Sequence, residues 1–469
     1  MRGRGLAVAI CAAALLAGPG AGAAPALPPI KHVFTIVLEN EDASTTFGPK
    51  SAAPYLAQTL RARGAFIPGY YATGHLSLDN YISMVSGQGP NPYTQADAPL
   101  YIDFLPGTPA ADGQYIGQGS VYPTQVKTIA DQIDAKGGTW GGYMEDMANS
   151  KTGEPKTCRH PAIGSQDDTQ SAREGDQYAA RHNPFVYFHS IIDDAASCNA
   201  NDVDLRRLTD DLKSTATTPD YVFITPNLCH DGHDEPCTGS NEPGGLTSAN
   251  TFLKQWIPRI LGSQAYADGG LVIINFDEAT TGDADACCGE KQGPNTPNNG
   301  GPQPGAGGGR VGAVLLSRYI KPGTTTKQQY NHYSLLRTSE DFFGLGHLGY
   351  AGAAGLRPFG DDIFTNPSGK VLPPVKPPNV SVRFGKLPTP CIRKRFRVRI
   401  HAGGSGITSV VRLDKRRLKT SHAHHFRVRI HARRLKPGRH RLRVTVTDRF
   451  GRQATRSRKF RRCVPPHKS

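Results

Sequence analysis

Past its first two dozen residues, this 469-residue chain has no apolar run long enough to cross a bilayer, since a spanning helix needs about 20 predominantly apolar residues. No transmembrane helix is expected in that part of the chain. No spaced pair of CxxC motifs occurs either, which speaks against a thiolate metal site. Acids are almost missing from the end of the chain. From Leu372 onward, 29 Lys and Arg face two acids, Asp414 and Asp448, a net charge of +27. With 55 bases and 39 acids in total, the preceding part keeps 26 bases and 37 acids, a net charge of −11. The overall +16 therefore hides an acidic body and a very basic tail.

The start reads as a secretory signal. Arg2 and Arg4 precede the apolar run Leu6 to Ala17, and Ala21-Gly22-Ala23 offers a small-residue cleavage site. Residues 1–23 are expected to be a signal peptide, and the mature protein to be secreted. Cys11 lies within the apolar run, which leaves eight cysteines. An even number in an exported chain favours disulfides over metal binding. Cys391 and Cys463 bracket the tail and are the expected pair. Sequence leaves the pairing of Cys158, Cys198, Cys229, Cys237, Cys287 and Cys288 open.

Length and charge divide the chain in two. Residues 366–379, "NPSGKVLPPVKPPN", form a proline-rich spacer. Beyond it, "KRFRVRIHA", "HHFRVRIHA" and "RHRLRVTVTD" alternate apolar and basic residues with period two, the signature of half-buried strands. "KPGRH" and "DRFGR" supply turns. Short strands within a cysteine bracket point to a small all-β sandwich over residues 380–469. Its arginines are either a solvated sheet face or a patch for an anionic envelope polymer or lipid surface. Nothing in it specifies nucleic-acid recognition.

The body has another rhythm. "HVFTIVL" (His32 to Leu38), "YVFIT" (Tyr221 to Thr225), "GLVIINF" (Gly270 to Phe276) and "VGAVLL" (Val311 to Leu316) are β-branched apolar runs, as in a parallel sheet buried on both faces. Helical stretches such as "APYLAQTLRARG", "PTQVKTIADQIDAKG" and "HYSLLRTSEDFFGLG" separate them. The pattern predicts an α/β, doubly wound, mostly parallel sheet. The Gly-, Pro- and Asn-rich stretch before Val311 is expected to be a mobile loop.

Polar residues cluster where these runs end: Glu39-Asn40 after the first, "PNLCHDGHD" with His230, Asp231, His233 and Asp234 after the second, and Asp277-Glu278 after the third. Ligands of open α/β sheets bind beyond the carboxyl ends of the strands. Oxygen-rich sets suit Mg²⁺, Mn²⁺ or Ca²⁺, and added histidines also suit Zn²⁺. Ser77 stands where a helix begins, with Leu78, Ile82 and Val85 at helical spacing. Taken alone it is a helix cap. Beside a metal it is also a nucleophile.

In chain order, "HVFTIVLEN", "TGHLSLDNYISMVSG", "PNLCHDGHD", "FDE" and "NHYSLLRTSEDFFGLG" resemble the phosphoesterase family of bacterial acid phosphatases and phospholipases C, within the alkaline-phosphatase-like superfamily. The resemblance covers about Lys31 to Phe364, and the catalytic domain is expected over residues 31–365. It implies that Glu39, Asn40, Asp277 and Glu278 hold a divalent cation. It implies that Ser77 is the nucleophile, and that His75, His230, Asp231 and His332 are catalytic. The familiar "HPSLPNY" stands here as "HLSLDNY", so Leu76 and Asp79 replace prolines. The tail likewise resembles the immunoglobulin-like modules appended to bacterial exported proteins. The expected function is hydrolysis of a phosphate ester: a phosphomonoesterase of the acid phosphatase type working through phosphoserine. A phospholipase C is the runner-up, and a non-enzymatic envelope-binding protein the third reading.

Overall fold

A computed structural model of the chain describes residues 27–148, 153–370, 380–385, 391–404, 407–447 and 453–463. The expected leader and most of the expected spacer lie outside the described residues. Among those described, no helix is long and apolar enough to cross a membrane.

Eight strands build the central sheet: β1 (His32–Leu38), β2 (Ala65–Ile67), β3 (Trp140–Met144), β4 (Asp202–Asp204), β5 (Tyr221–Thr225), β6 (Gly270–Phe276), β7 (Ala313–Ser317) and β8 (Thr324–Thr325). Their spatial order is β8-β2-β7-β6-β1-β5-β3-β4. β1 runs parallel to β5 and β6, with Val33 opposite Tyr221 and Leu38 opposite Phe276. β3 is parallel to β5 and β4. β7 is antiparallel to both β6 and β2, so the sheet is mixed rather than wholly parallel. Every residue of β1, β5, β6 and β7 is buried. That is why these strands read as unbroken apolar runs. Full burial of side chains such as Val33, Phe34 and Ile36 stabilises by about 1.5–3 kcal/mol each.

The helices that position polar residues are α1 (Ser77–Ser86), α2 (Ile129–Ala135), α3 (Gly245–Leu261) and α4 (His332–Phe343). α1 is buried along its whole length and packs against α4. α3 buries Leu246, Ala249, Phe252, Leu253, Trp256, Ile257 and Ile260, an apolar stripe at helical spacing. α4 opens with Asn331, whose side chain accepts from Ser334 N and caps the helix.

The glycine-rich stretch before β7 is pinned rather than loose. Asn298 Nδ2 donates to the carbonyls of Gly301 and Gln303, both at 2.8 Å, and His75 N donates to Asn299 O at 3.3 Å. Gly301 has φ 57°, and a Cβ there would stand 2.1 Å from the His75 carbonyl. The glycines thus record how closely this loop lies on the segment before Ser77, not freedom of motion.

The tail forms β9 (Ser381–Phe384), β10 (Cys391–Ile392), β11 (Phe396–Gly403), β12 (Thr408–Leu413), β13 (Arg416–Ser421), β14 (His425–Ile430), β15 (Gly438–Thr447) and β16 (Gln453–Arg462). They make a three-stranded sheet, β9-β11-β14, and a five-stranded sheet, β10-β16-β15-β12-β13. Val398, Ile400 and Val428 from the first share one core with Val411, Leu442 and Val444 from the second. Along β11, Val398 and Ile400 are buried while Arg397 and Arg399 are exposed, as the period-two pattern demands.

Among the described residues four disulfides form: Cys158–Cys198, Cys229–Cys237, Cys287–Cys288 and the expected Cys391–Cys463. The last spans 72 residues and limits the unfolded tail. Replacing Cys391 and Cys463 together by Ser should lower the stability of the β-module by about 2–4 kcal/mol. Denaturant unfolding followed at the module should move, while the transition of the eight-stranded domain should not. An unmoved module transition would show that the bond does not form or constrains nothing.

Candidate active site

Parallel pairing of β1 with β5 and β6 brings three strand ends to one rim, and Glu39, Asp231 and Asp277 are joined there by the backbone. Glu39 N donates to Asp231 O at 2.9 Å, and Asp277 N donates to Leu38 O at 2.8 Å. Asn40 takes a left-handed turn, φ 57°, which asparagine tolerates. The turn aims Asn40 N at Asp277 Oδ1 (3.0 Å) and its side-chain Nδ2 at Glu39 Oε2 (3.2 Å).

α1 supplies the hydroxyls. Ser77 Oγ donates to Glu39 Oε2 at 2.7 Å. One turn on, Tyr81 OH donates to Glu39 Oε1 at 2.6 Å, so one helix face grips both carboxylate oxygens. Ser77 is not a cap. The capping position is Leu76, which offers no side-chain acceptor, and the Ser77 hydroxyl is spent on Glu39. The turn before Ser77 is clamped instead by Asn80. Its Oδ1 accepts from Thr73 N (2.9 Å) and Gly74 N (3.0 Å), and its Nδ2 donates to Gly74 O (2.8 Å).

The acids are buried beside one another. Burial disfavours charge on Glu39, yet hydrogen bonding with Asp277 and with the hydroxyls of Tyr81 and Ser77 favours its carboxylate, and the neutral His182 ring adds no charge of its own. Asp277 is pushed well up by burial and by Glu39 and Glu278. Asp231 is pushed well up by burial and by Glu39. Asp277 Oδ2 and Asp231 Oδ2 have no hydrogen-bond partner, which is costly for buried oxygens and is what a cation would relieve. Glu278 lies against His75: its Oε2 meets His75 Nδ1, and His75 Nε2 faces Asp283 O at 2.9 Å. Burial lifts Glu278 to about 7 against the pull of His75. Burial opposes charge on His75, but Glu278 and the Asp283 carbonyl raise it overall.

Asp79, where the family pattern has proline, is 1% exposed, and neither carboxyl oxygen has a partner. Burial and nearby Glu278, Asp97 and Glu290 raise its pKa well above the ordinary aspartate value.

His182 went unnoticed in the sequence. Its ring stacks on Tyr81, centroids 5.3 Å apart and planes 11° apart. Nε2 lies 3.4 Å from Glu39 Oε2 and Nδ1 3.9 Å from Asp231 Oδ2, and neither nitrogen is hydrogen-bonded. Burial drops it to about 3, so the ring is neutral. It sits at the end of a short turn, Ala180–His182, with no periodic signal to mark it. Tyr81 was also not singled out in the sequence, although its place four residues after Ser77 on a helical pattern is a signal that could have found it.

Two expected residues take other places. His230 does not join the cluster: Nδ1 meets Glu145 Oε2 at 2.9 Å and Nε2 meets Glu242 Oε2 at 3.2 Å, which occupies both ring nitrogens. Burial opposes its charge, but these two carboxylates raise it to about 9. His332 reaches the site only through the backbone. Nε2 donates to Asp277 O at 2.6 Å, and Nδ1 accepts from Tyr70 OH at 3.0 Å. Burial drops it to about 4, consistent with that neutral tautomer.

Among known proteins, this chain is 28% identical over 320 residues to the phosphate-repressible acid phosphatase of Penicillium chrysogenum, covering 67% of this chain and 59% of that protein. It is 26% identical over 324 residues to a probable acid phosphatase of Kluyveromyces lactis, with 68% and 59% covered. The chain thus spans less than two thirds of these fungal proteins. It is 24% identical over 352 residues to a phosphatidylinositol-3-phosphatase of Mycobacterium tuberculosis, with 73% and 89% covered. A solved protein of the alkaline phosphatase superfamily from Vibrio parahaemolyticus aligns with 72% of this chain and 73% of its own at 12% identity and a TM-score of 0.43, too remote to carry an argument. A family model spans residues 50–346, well over half of the 469, and takes in both Ser77 and the Asp277-Glu278 pair, so the chain belongs to the Phosphoesterase family.

Proposed function

We propose that this protein is a secreted phosphoric ester hydrolase, assisted by a divalent cation, that works through a phosphoserine on Ser77. The observation that carries the reading is the Ser77 hydroxyl, buried at the start of α1 and donating to Glu39 within a cluster of acids. Phosphomonoesters are the favoured substrates. The fungal relatives are named acid phosphatases, and the mycobacterial relative is named for removal of a phosphate monoester. A phosphodiester of the phospholipase C kind remains the second substrate class to assay. The alkaline-phosphatase-like fold, the immunoglobulin-like character of the β-module and retention of that module on an anionic envelope surface belong to the same reading.

In the first step Ser77 Oγ bonds to phosphorus as the P–O bond to the leaving group breaks. The hydroxyl proton already points at Glu39 Oε2, which marks its way off the oxygen. The departing oxygen takes up a proton, and water then cleaves the phosphoserine. Glu278 favours the positive form of His75, whose two ring nitrogens are engaged by Glu278 and the Asp283 carbonyl, so its contribution to phosphoryl binding is through charge rather than direct contact. His182 is neutral, with ring nitrogens free for the phosphoryl group or the leaving oxygen. His332 fixes the Asp277 backbone, and His230 is structural. Glu39, Asn40, Asp277 and Glu278 would hold the cation, and the unpartnered Asp277 oxygen fits that use. When bound, the cation supplies Lewis acidity that offsets negative charge on the hydroxyl and phosphoryl oxygens.

Ser77→Ala should leave a folded protein whose hydrolysis of a chromogenic phosphomonoester falls by several orders of magnitude, because the attacking group is gone. Near-normal turnover in the folded variant would end the nucleophile assignment.

Chelation should abolish turnover, and saturating Mg²⁺, Mn²⁺, Ca²⁺ or Zn²⁺ should stabilise the wild type by about 2.7 kcal/mol at 100 times its Kd. Asp277→Asn should lose most of that stabilisation in a thermal-shift titration. If no cation shifts the wild-type melting curve, the carboxylates need another role.

His230 tests the division of labour. Its folded pKa, about 9, exceeds the unfolded value near 6.5. Its stabilising contribution is therefore complete below about pH 6.5 and lost as pH rises through about 9. His230→Gln should keep activity, and its stability deficit against wild type should close between those limits. A pH-independent deficit with lost turnover would return His230 to the chemistry.

A further inference from the structure

Among the described residues, the Lys and Arg side chains of the β-module have no acidic partners. Asp414, its one described acid, accepts from His440 Nδ1 at 2.8 Å and from Arg441 N at 2.9 Å. Among the described residues, no carboxylate pairs with any Lys or Arg between residues 380 and 463. The heptapeptide FRVRIHA occurs at residues 396–402 and again at 426–432, and β11 and β14 pair these copies antiparallel. Register then sets Arg397 opposite Arg429 and Arg399 opposite Arg427, all four exposed. Like charges placed directly opposite destabilise a sheet. An anion lying across each rung would remove that repulsion, and the guanidinium fork suits a phosphoryl oxygen pair.

These rungs border a concavity where β13 passes beside β14. Two contiguous hollows share Leu418 and Arg429. Between them they are lined by Arg397, Arg416, Lys419, Arg427, Arg429 and Arg434. Surface chemistry favours a charged chain over a bilayer, because the exposed large apolar side chains of the described residues, Leu100, Leu105, Ile116 and Ile163, all lie in the other domain. Successive rungs on one strand face are about 7 Å apart, close to the reach of one repeat in an extended phosphodiester chain.

We propose that this cleft binds a linear phosphodiester polymer through its backbone phosphates. The inference rests on the retention reading given above and assigns it a partner and a place. It does not depend on the hydrolytic site.

The test uses the full chain and a fluorescent poly(glycerol phosphate) of defined length, with binding read by anisotropy at several salt concentrations. One variant carries Arg397→Gln, Lys419→Gln, Arg427→Gln and Arg429→Gln. The control carries Arg439→Gln, Arg441→Gln, Arg443→Gln and Arg461→Gln, an equal loss of charge on the strands of the other sheet. The cleft variant removes repulsive rungs, so it should fold, as circular dichroism will show. It should bind at least about tenfold more weakly, and its log K against log salt should flatten by about 3, near 0.7 per lost contact. The control should stay close to wild type. Equal losses in both variants would overturn the cleft and leave only net charge. Sedimentation of wild type with phosphatidylglycerol vesicles without polymer binding would make the partner a lipid surface and overturn the proposal. Binding to neither would remove the retention reading itself, and with it the cleft.

Discussion

Four carboxyl groups, on Glu39, Asp231, Asp277 and Glu278, are buried at the ends of neighbouring chain segments with too little positive charge among them. Isolated charges in such a place are very costly, and much of the domain is arranged around that fact. α1 turns two hydroxyls onto Glu39. The Asn40 turn and the Glu278 amide satisfy one Asp277 oxygen, and His75 answers Glu278. What is left unpaired is one oxygen each on Asp277 and Asp231, and the Asp231 oxygen lies 3.9 Å from an unbonded nitrogen of His182.

Positive charge is distributed by the opposite rule. The eight-stranded domain concentrates acids inward, whereas the β-module turns its bases outward on alternate strand positions. Inward charge must be matched locally because little water reaches it. Outward charge is tolerated because solvent and salt screen it. The same chain therefore holds a site governed by desolvation and a surface governed by screening.

Legibility in the sequence followed burial. β1, β5 and β6 were readable to the residue because a strand covered on both faces must be apolar throughout. β3 was not: Trp140-Gly-Gly-Tyr-Met has no β-branched residue, and its place is set by parallel neighbours on both sides. β2 and β8 are too short to show a period. Residues at strand ends, such as Glu39 and Asp277, were found because topology forces them to the rim. His182 arrives from an irregular turn, and only the folded packing against Tyr81 reveals it. His230 shows the converse case, since a polar residue after a strand can as easily be held between acids, here Glu145 and Glu242, as aimed at a substrate. The glycine-rich loop is ambiguous in a third way, because close backbone approach and mobility leave the same composition.

The register of β1 has a consequence for the chain as it is being made. This strand is complete by Leu38, yet its two neighbours begin at Tyr221 and Gly270, and the ring that braces Asp277 comes from His332. Contacts so distant in sequence form late, after the entropy of closing long loops has been overcome. A nascent chain ending before Gly270 therefore holds Ser77 and Glu39 without Asp277 and Glu278, and one ending before α4 still lacks the ring that braces the Asp277 backbone.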